Sequence, residues 1–305
     1  MPGIERGWVR ATPALGPDDL VLCSGTVSRH TAIRDRLAAA SEAGYRAVSL
    51  WGRDYEAARG EGYSDADLAA LLEDHGLVVA ELDPVWWWTP GAESFSIPPE
   101  LDPIDVFRFG ESELFHIGEA LGARSVNAAD VLGGSWGVDD AAASFAALCD
   151  RAAERGLLVH LEWLAWSRIP DLATALQVVM LADRPNGGLN VDMWHCARTG
   201  ATADDLRAVP GDRVLAVQVD DGPAEPEEDL IAATLHERLL PGEGDFDLVG
   251  YLGSLRSIGS AAPVGVEVFS DELHASDPAE AALRAARATR ALLTEVERRT
   301  PRPAC

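Results

Sequence analysis

Short apolar runs rich in β-branched residues alternate with longer segments of helical period along most of the chain. The runs predict eight strands, at 20–25, 46–50, 77–82, 124–129, 157–162, 189–192, 214–219 and 263–269. The segments between and after them predict eight helices, at 31–43, 64–75, 104–121, 138–155, 171–182, 203–208, 245–258 and 278–298. Eight strand and helix pairs in about 280 residues predict an α/β fold, a (β/α)8 TIM barrel, in preference to an open doubly wound sheet.

We expect one barrel domain over 20–298, preceded by an N-terminal arm at 1–19 and followed by a C-terminal tail at 299–305. A chain of 305 residues is long enough to bury the core of one such barrel. No GxGxxG or P-loop pattern follows the first predicted strand, which argues against a nucleotide-binding sheet.

The chain is acidic, with 50 Asp and Glu against 25 Lys and Arg and a formal net charge of −25. Such a charge repels phosphate backbones and anionic membrane surfaces, so we expect neither nucleic acid nor membrane as a partner. No signal-peptide pattern and no apolar run of spanning length occurs, which indicates the cytoplasm. The four cysteines lack metal-ligand spacing and are expected to be reduced thiols without a disulfide.

Polar residues stand at the ends of four consecutive predicted strands: Glu162, Asp192, Gln218 and Glu267. The carboxyl ends of barrel strands converge on the barrel axis, so these four side chains predict one divalent-metal site. Oxygen ligands favour Mn²⁺ or Mg²⁺, while Co²⁺ and Zn²⁺ remain open. The alternative is that each strand simply ends in solvent, as polar strand ends often do.

Three further polar residues are candidates for contact with substrate. His195 follows Asp192 by three positions and can act on a substrate oxygen or in proton transfer, or can be a solvated loop histidine. His160 precedes Glu162 by two positions, on the same strand face, with a structural role as the alternative. Arg238 can bind an anionic or hydroxyl group of a substrate, or pair with Glu237 or Glu243 on a solvated loop.

Two connections, 83–103 and 220–244, are long for loops that follow barrel strands, and such loops commonly form lids or binding loops. The first contains Trp86, Trp87 and Trp88. Three consecutive tryptophans cannot all face one core, so we expect Trp86 and Trp88 to contribute to substrate binding. Packing in the core is the alternative for each of them.

At these residues the sequence resembles the xylose isomerase-like barrel family, also called the sugar phosphate isomerase/epimerase superfamily. The matching pieces run in family order and are "HLEW", "NVDMWH", "VQVDDGP", "ERLLPGEGDFD" and "VEVFS". The resemblance extends over the barrel from about 20 to 296, with its specific motifs in the second half. It implies that Glu162, Asp192, Gln218 and Glu267 bind the metal, that His195 contacts substrate and that the two glutamates carry protons.

The resemblance also implies a reaction class. Proton abstraction next to a carbonyl by Glu162 or Glu267 gives an enediolate that a divalent metal, Mn²⁺ in our prediction, stabilises. Return of the proton makes the enzyme an isomerase or epimerase of a sugar or polyhydroxy/keto acid. Expulsion of a β-hydroxyl makes it a lyase of the dehydroshikimate dehydratase type, which the "VEVFS" ending also resembles. Gln218 stands where many epimerases have histidine, and glutamine there is familiar from hydroxypyruvate isomerase-like members, which argues against a strict ketose 3-epimerase.

Two other readings stay open from the sequence. The wider fold family includes endonucleases that act at abasic DNA, but these need a histidine-rich metal cluster and a basic surface, which seven histidines and the acidic charge do not favour. A non-catalytic barrel subunit is the other, although it has no need of three converging carboxylates. Family members are often dimers or tetramers, so the resemblance implies a homodimer or homotetramer for this chain.

Overall fold

The structure is a computed structural model that describes residues 14–94, 97, 105–130 and 134–301. Eight parallel strands close into a barrel in which each strand pairs with the next and the last pairs with the first. The strands are β1 Leu20–Leu22, β2 Ala47–Trp51, β3 Val78–Val85, β4 Ser125–Ala128, β5 Leu158–Leu161, β6 Gly187–Asp192, β7 Val214–Val219 and β8 Val264–Val266. This closed order confirms the predicted (β/α)8 TIM barrel.

Helices separate the strands and form the outer layer. Within the described residues the α-helices are α1 Ile33–Glu42, α2 Gly52–Gly60, α3 Asp65–Asp74, α4 Glu111–Leu121, α5 Val138–Ala153, α6 Leu172–Ala182, α7 Met193–Thr199, α8 Ala203–Arg207, α9 Leu230–His236, α10 Leu248–Ser257, α11 Asp271–His274 and α12 Pro278–Arg299. Ser64 and Asp171 cap α3 and α6 by accepting hydrogen bonds from backbone N–H groups in the first turn. Gly122 ends α4 in the left-handed conformation, with φ 67°.

Each predicted helix has a counterpart, but four short helices were not predicted. They are α2, α7, α9 and α11, of four to nine residues, and they lie in the connections that follow strands. Segments of two and a half turns or less carry too few apolar repeats to show a period. The predicted helix at 104–121 begins only at Glu111, because Gly110 is the N-cap and its backbone N–H donates to Glu113 Oε2 at 2.8 Å.

Strand β5 shows how the barrel places the site. Val159 and Leu161 are fully buried in the main hydrophobic cluster, together with residues of the surrounding helices. Alternation along the strand therefore turns His160 and the following Glu162 to the opposite side, into the barrel. Full burial of each such aliphatic side chain stabilises the fold by roughly 1.5–3 kcal/mol. The apolar residues thus fix the strand that presents the polar ones.

Cys23, Cys149 and Cys196 are buried and unpaired, as expected for these three, while Cys305 lies outside the described residues. Parts of the predicted 83–103 loop also lie outside them. No helix in the described ranges combines the length and the apolar character needed to cross a bilayer.

Candidate active site

A cavity opens at the carboxyl ends of the strands and encloses about 650 Å³ of empty space, including its open mouth. Its walls are mainly apolar and include the rings of Trp51, Trp86, Phe107, Trp166 and Phe269. Its polar lining is Asp83, Glu162, His195, Thr234, Arg238 and Glu267. A small apolar cavity with a few convergent polar groups has the form of a small-molecule site.

Glu162 follows β5 directly, and its backbone N–H bonds to the carbonyl of Ala128 on β4. Its Oε2 accepts a hydrogen bond from Asn127 Nδ2 at 2.5 Å, and its Oε1 lies 3.6 Å from His195 Nε2. Burial, reinforced by the charges of Asp192 and Asp83, raises the pKa of Glu162 well above its usual value. A carboxylate with a raised pKa is a stronger base than an ordinary glutamate.

In the stretch "LNVDMWH", Asp192 is both the last residue of β6 and the N-cap of α7. Its carboxylate accepts a hydrogen bond from the backbone N–H of Trp194. One helical turn then brings His195 Nε2 to 4.0 Å from Asp192 Oδ2. Burial opposes ionisation of Asp192, but the charges of Arg238 and His195 outweigh it and lower its pKa. Burial also lowers the pKa of His195 to about 4, so its imidazole is neutral at pH 7.

Ligand atoms of Glu162, Asp192 and His195 lie within 4.8 Å of one another, close enough to hold one metal ion. Two of these three residues belong to the predicted ligand set. The third, His195, was predicted as a substrate contact and stands beside the two carboxylates. The arrangement gives Asp192 a place in a buried polar cluster, not at a solvated strand end.

The other two predicted ligands differ in their surroundings. Gln218 lies beside Asp192 in the β6–β7 register, but its Oε1 accepts from Asn190 at 2.7 Å and its Nε2 donates to Glu81 at 3.3 Å. Glu267 lines the cavity, and its buried Oε1 has no hydrogen-bond partner. Burial raises the pKa of Glu267 well above its usual value, and the charges of Asp83, Glu162 and Asp192 add to the effect.

Arg238 is the cationic centre of the site. Its Nη1 donates to Asp192 at 2.9 Å and to Asp220 at 2.6 Å, and it lies 3.7 Å from Glu267 Oε2. The side chain is only 2% exposed, which excludes the alternative of a surface pair with Glu237 or Glu243. Asp220 was not predicted, and burial raises its pKa well above the usual value.

The family model for xylose isomerase-like TIM barrels matches residues 37–292, most of the chain. The chain belongs to this family. Among curated relatives, 3-dehydroshikimate dehydratase of Pseudomonas aeruginosa is 35% identical over 130 residues, which are 42% of this chain and 20% of that enzyme. Inosose isomerase of Bacillus licheniformis is 30% identical over 146 residues, which are 47% of this chain and 50% of that enzyme. The chain therefore matches half or less of the length of these relatives.

A solved structure shows the same fold over nearly the whole chain. The crystal structure of the IOLI protein with zinc bound superposes with a TM-score of 0.77 at 20% identity, covering 91% of this chain and 99% of that one. At this identity the likeness shows that the xylose isomerase-like barrel is shared.

Two predicted substrate-binding residues of this xylose isomerase-like barrel do not line the cavity. His160 lies beneath it, where its Nδ1 meets Asn127 Oδ1 at 3.0 Å and its Nε2 lies 3.1 Å from Ser125 Oγ and 3.2 Å from Glu81. Trp88 is in the core, where its Nε1 donates to the carbonyl of Ala129 and its ring meets Phe145 edge to face. These contacts correspond to the structural alternative for each residue.

Trp86, in contrast, lines the cavity and stacks on Phe107 with ring centroids 4.7 Å apart. Besides Asp220, sequence reasoning missed Asp83, Asn127 and Trp51, which this barrel also brings to the site. Asp83 lines the cavity and accepts hydrogen bonds from Asn127 Nδ2 at 2.8 Å and from Trp51 Nε1 at 3.2 Å. The sequence did offer one signal for Asp83, because this carboxylate stands near the end of β3, as Asp192 does at the end of β6.

Proposed function

We propose that this chain is a divalent-metal-dependent isomerase or epimerase that moves a proton on the carbon next to the carbonyl of a sugar or related hydroxy-carbonyl compound. The observation that carries the proposal is the placement of Glu162 and Glu267, two buried carboxylates with raised pKa values, on one cavity beside Asp192 and His195. Two bases on one cavity can take a proton from one position and return it to another.

The residues present fit a divalent metal. Ligand atoms of Glu162, Asp192 and His195 lie within 4.8 Å of one another, and Glu267, which lines the same cavity, has a buried Oε1 without a hydrogen-bond partner. We propose that Glu162, Asp192 and Glu267 hold the ion, with Gln218 as a neutral fourth ligand once its side chain turns from Asn190. Such a carboxylate set favours Mn²⁺ or Mg²⁺, and the nearby His195 imidazole also suits Zn²⁺ or Co²⁺. The bound ion would supply Lewis-acid polarisation of the carbonyl.

The chain's own residues supply the proton transfers. Asn127 holds one oxygen of Glu162, so the other oxygen is left to act as the base. Neutral His195 has an unpartnered Nδ1 and can hydrogen-bond to a substrate oxygen without adding charge. Glu162 keeps the proton it removes, and a protonated Glu267 on the same cavity can return a proton to the intermediate. The choice of carbon or face for that return separates an isomerase from an epimerase.

A Schiff base is excluded as an alternative way to acidify the carbon. All 25 basic residues among these 305 are arginines, so the chain contains no lysine to form one. Stabilisation of the developing negative charge therefore depends on the metal and on hydrogen bonds.

A second candidate is a lyase of the dehydroshikimate dehydratase type. The observation that favours it is the 35% identity with the Pseudomonas aeruginosa enzyme, higher than the 30% identity with the inosose isomerase. The same base would remove the α-proton, and the electron pair would then expel a β-hydroxyl as water. Aromatisation after loss of water from 3-dehydroshikimate gives a product with new ultraviolet absorption.

Both candidates are tested by incubating Mn²⁺-loaded protein in D₂O with an inosose, a free ketose and 3-dehydroshikimate, and following each by NMR. Deuterium at the α-carbon with an isomeric product supports the first candidate, and an aromatic product supports the second. Glu162→Gln and Glu267→Gln should reduce exchange, whereas Glu113→Gln, at an exposed helix cap, should not. If the protein shows no exchange, binds no metal and is not stabilised by Mn²⁺, these three results together would favour the non-catalytic barrel.

A further inference from the structure

The charges around the cavity are strongly unbalanced. Asp83, Glu162 and Glu267 line it, and the buried carboxylates of Asp192 and Asp220 lie behind Arg238. Among the described residues that line the cavity, only Arg238 and His195 are basic. Arg238 is already bound to two carboxylates, and His195 Nε2 lies 3.6 Å from Glu162 Oε1 and 4.0 Å from Asp192 Oδ2.

A bound divalent cation does not remove this imbalance. When all five carboxylates are ionised, one guanidinium and one divalent ion leave two negative charges uncompensated. The stretches between the described segments, residues 95–96, 98–104 and 131–133, contain no arginine, lysine or histidine in their sequence. An anionic group on a substrate would therefore find no unengaged cation among the described lining residues, and low local dielectric would make the repulsion strong.

Basic residues do line a neighbouring cavity, which contains Arg29, His30, His236 and His274. The residues common to the two cavities are the apolar Trp51, Leu235 and Phe269. The rings of Trp51 and Phe269 stack with centroids 6.1 Å apart. The basic groups thus belong to a different compartment from the one that holds Glu162 and Glu267.

Of the three carboxylates that line the cavity, Asp83 is the one with no place in the proposed metal site. Its two oxygens are fixed separately, one by Asn127 Nδ2 and the other by Trp51 Nε1, so the group has a single orientation on the cavity wall. A carboxylate held in this way accepts a hydrogen bond from a substrate hydroxyl and repels a substrate anion. It is therefore suited to distinguish a polyol from an acid.

We propose that the site selects electrically neutral hydroxy-carbonyl substrates, a free sugar or a cyclic polyhydroxy ketone, over carboxylated and phosphorylated ones, with Asp83 as a specificity-determining residue. This selectivity rests on the proposed function, because it assumes that substrate binds beside Glu162 and Glu267. It favours the isomerase or epimerase over a dehydratase whose substrate is a carboxylate.

The binding test compares quinate, a cyclic polyol with a carboxylate, with its neutral methyl ester. Isothermal titration of Mn²⁺-loaded protein at pH 8 should give a Kd at least about tenfold lower for the ester, equivalent to about 1.4 kcal/mol. Asp83→Asn and Asp83→Ser should both reduce this ratio several-fold. Asp271→Asn, in the neighbouring basic cavity, should leave it unchanged. Equal binding of quinate and ester, or a ratio unaffected by both Asp83 variants, overturns the selectivity.

Circular dichroism and melting temperature establish that each Asp83 variant is folded, and the two variants differ in that asparagine introduces a side-chain amide whereas serine does not. A turnover test keeps the two proposals distinguishable. Equal α-proton exchange on 3-dehydroshikimate and on its methyl ester overturns the selectivity and leaves the proposed function standing. Lack of exchange on every neutral and anionic probe overturns the proposed function, while the quinate-to-ester Kd ratio still decides the selectivity.

Discussion

Asn127 donates a hydrogen bond from its side-chain nitrogen to Glu162 Oε2 across 2.5 Å. The oxygen of the same amide meets His160 Nδ1 at 3.0 Å, so the histidine determines which end of the amide faces Glu162. His160 is itself held by Ser125 and Glu81. A buried polar layer beneath the cavity therefore orients the proposed base, and His160 acts on the site through Asn127.

We expect Asn127→Ala to lower turnover or metal affinity by about 10–100-fold, the range typical of residues that orient metal ligands. Loss of the amide frees Glu162 to rotate and leaves Asp83 with one hydrogen bond fewer. Steady-state kinetics should show the change mainly in kcat, because Asn127 does not line the cavity. Asn127→Gln should not restore the lost rate, since the longer side chain cannot occupy the same position.

Asn186→Ala is the matched control, because the side-chain nitrogen of that asparagine donates to the backbone carbonyls of Cys149 and Leu157. It should lower the melting temperature while leaving kcat in the folded fraction unchanged. Equal effects of the two alanine variants on kcat would make Asn127 a residue of general stability, without a positioning role.

Substitutions of Asp192 and of His195 should have different effects on metal binding and on turnover. Asp192→Asn removes one of three charges proposed to hold the cation, so Mn²⁺ affinity should fall and excess Mn²⁺ should restore part of the activity. His195→Gln should keep the metal and lower turnover by roughly 10²–10⁴-fold, as for a lost acid or base group. Metal content by atomic absorption decides between them. Loss of metal from His195→Gln would make His195 a ligand, which its place beside Glu162 and Asp192 permits.

The sequence was sufficient to predict the barrel, because the period of the strands and helices depends on local burial. It also predicted Glu162 and Asp192 as neighbours, since parallel strand ends must converge. The side-chain direction of Gln218 could not be predicted, because it depends on Asn190 and Glu81, distant in sequence. The burial of Arg238 depends likewise on partners 46 and 18 positions away, so the local sequence left both a substrate contact and a solvated surface pair open.

The tryptophan run offers a matched pair of substitutions. Trp86→Ala should weaken substrate binding more than it lowers the melting temperature, because Trp86 lines the cavity. Trp88→Ala should instead cost about 3–5 kcal/mol of unfolding free energy, because it removes a buried ring and the hydrogen bond to Ala129. Titration with substrate and denaturant unfolding of both variants measure the two effects. If both variants showed the same ratio of binding loss to stability loss, Trp86 would not be a substrate contact distinct from the structural Trp88.

The buried carboxylates should make the metal-free protein less stable as pH rises. Burial and the charge of Glu81 raise the pKa of Asp83 to about 7, and the pKa values of Glu162 and Glu267 are also raised. The folded state therefore keeps protons that the unfolded chain has lost at a pH of about 4, and its free energy of unfolding falls as pH increases through the raised values. His195 has the opposite effect, because its pKa is lowered to about 4 in the folded state from about 6.5 in the unfolded chain. Its contribution to the free energy of unfolding rises with pH mainly between these two values.

Between pH 6.5 and 8 the carboxylates dominate the slope, because Asp83 by itself contributes a loss of about 1 kcal/mol, which exceeds the remaining gain from His195. A metal reverses the trend, because it binds the ionised carboxylates and its affinity rises as their protons leave. The difference in melting temperature between Mn²⁺-loaded and chelator-treated protein should therefore grow from pH 6.5 to pH 8. Glu267→Gln should make that growth smaller by removing one titrating ligand. A difference that stays constant with pH would show that the metal does not bind these buried carboxylates.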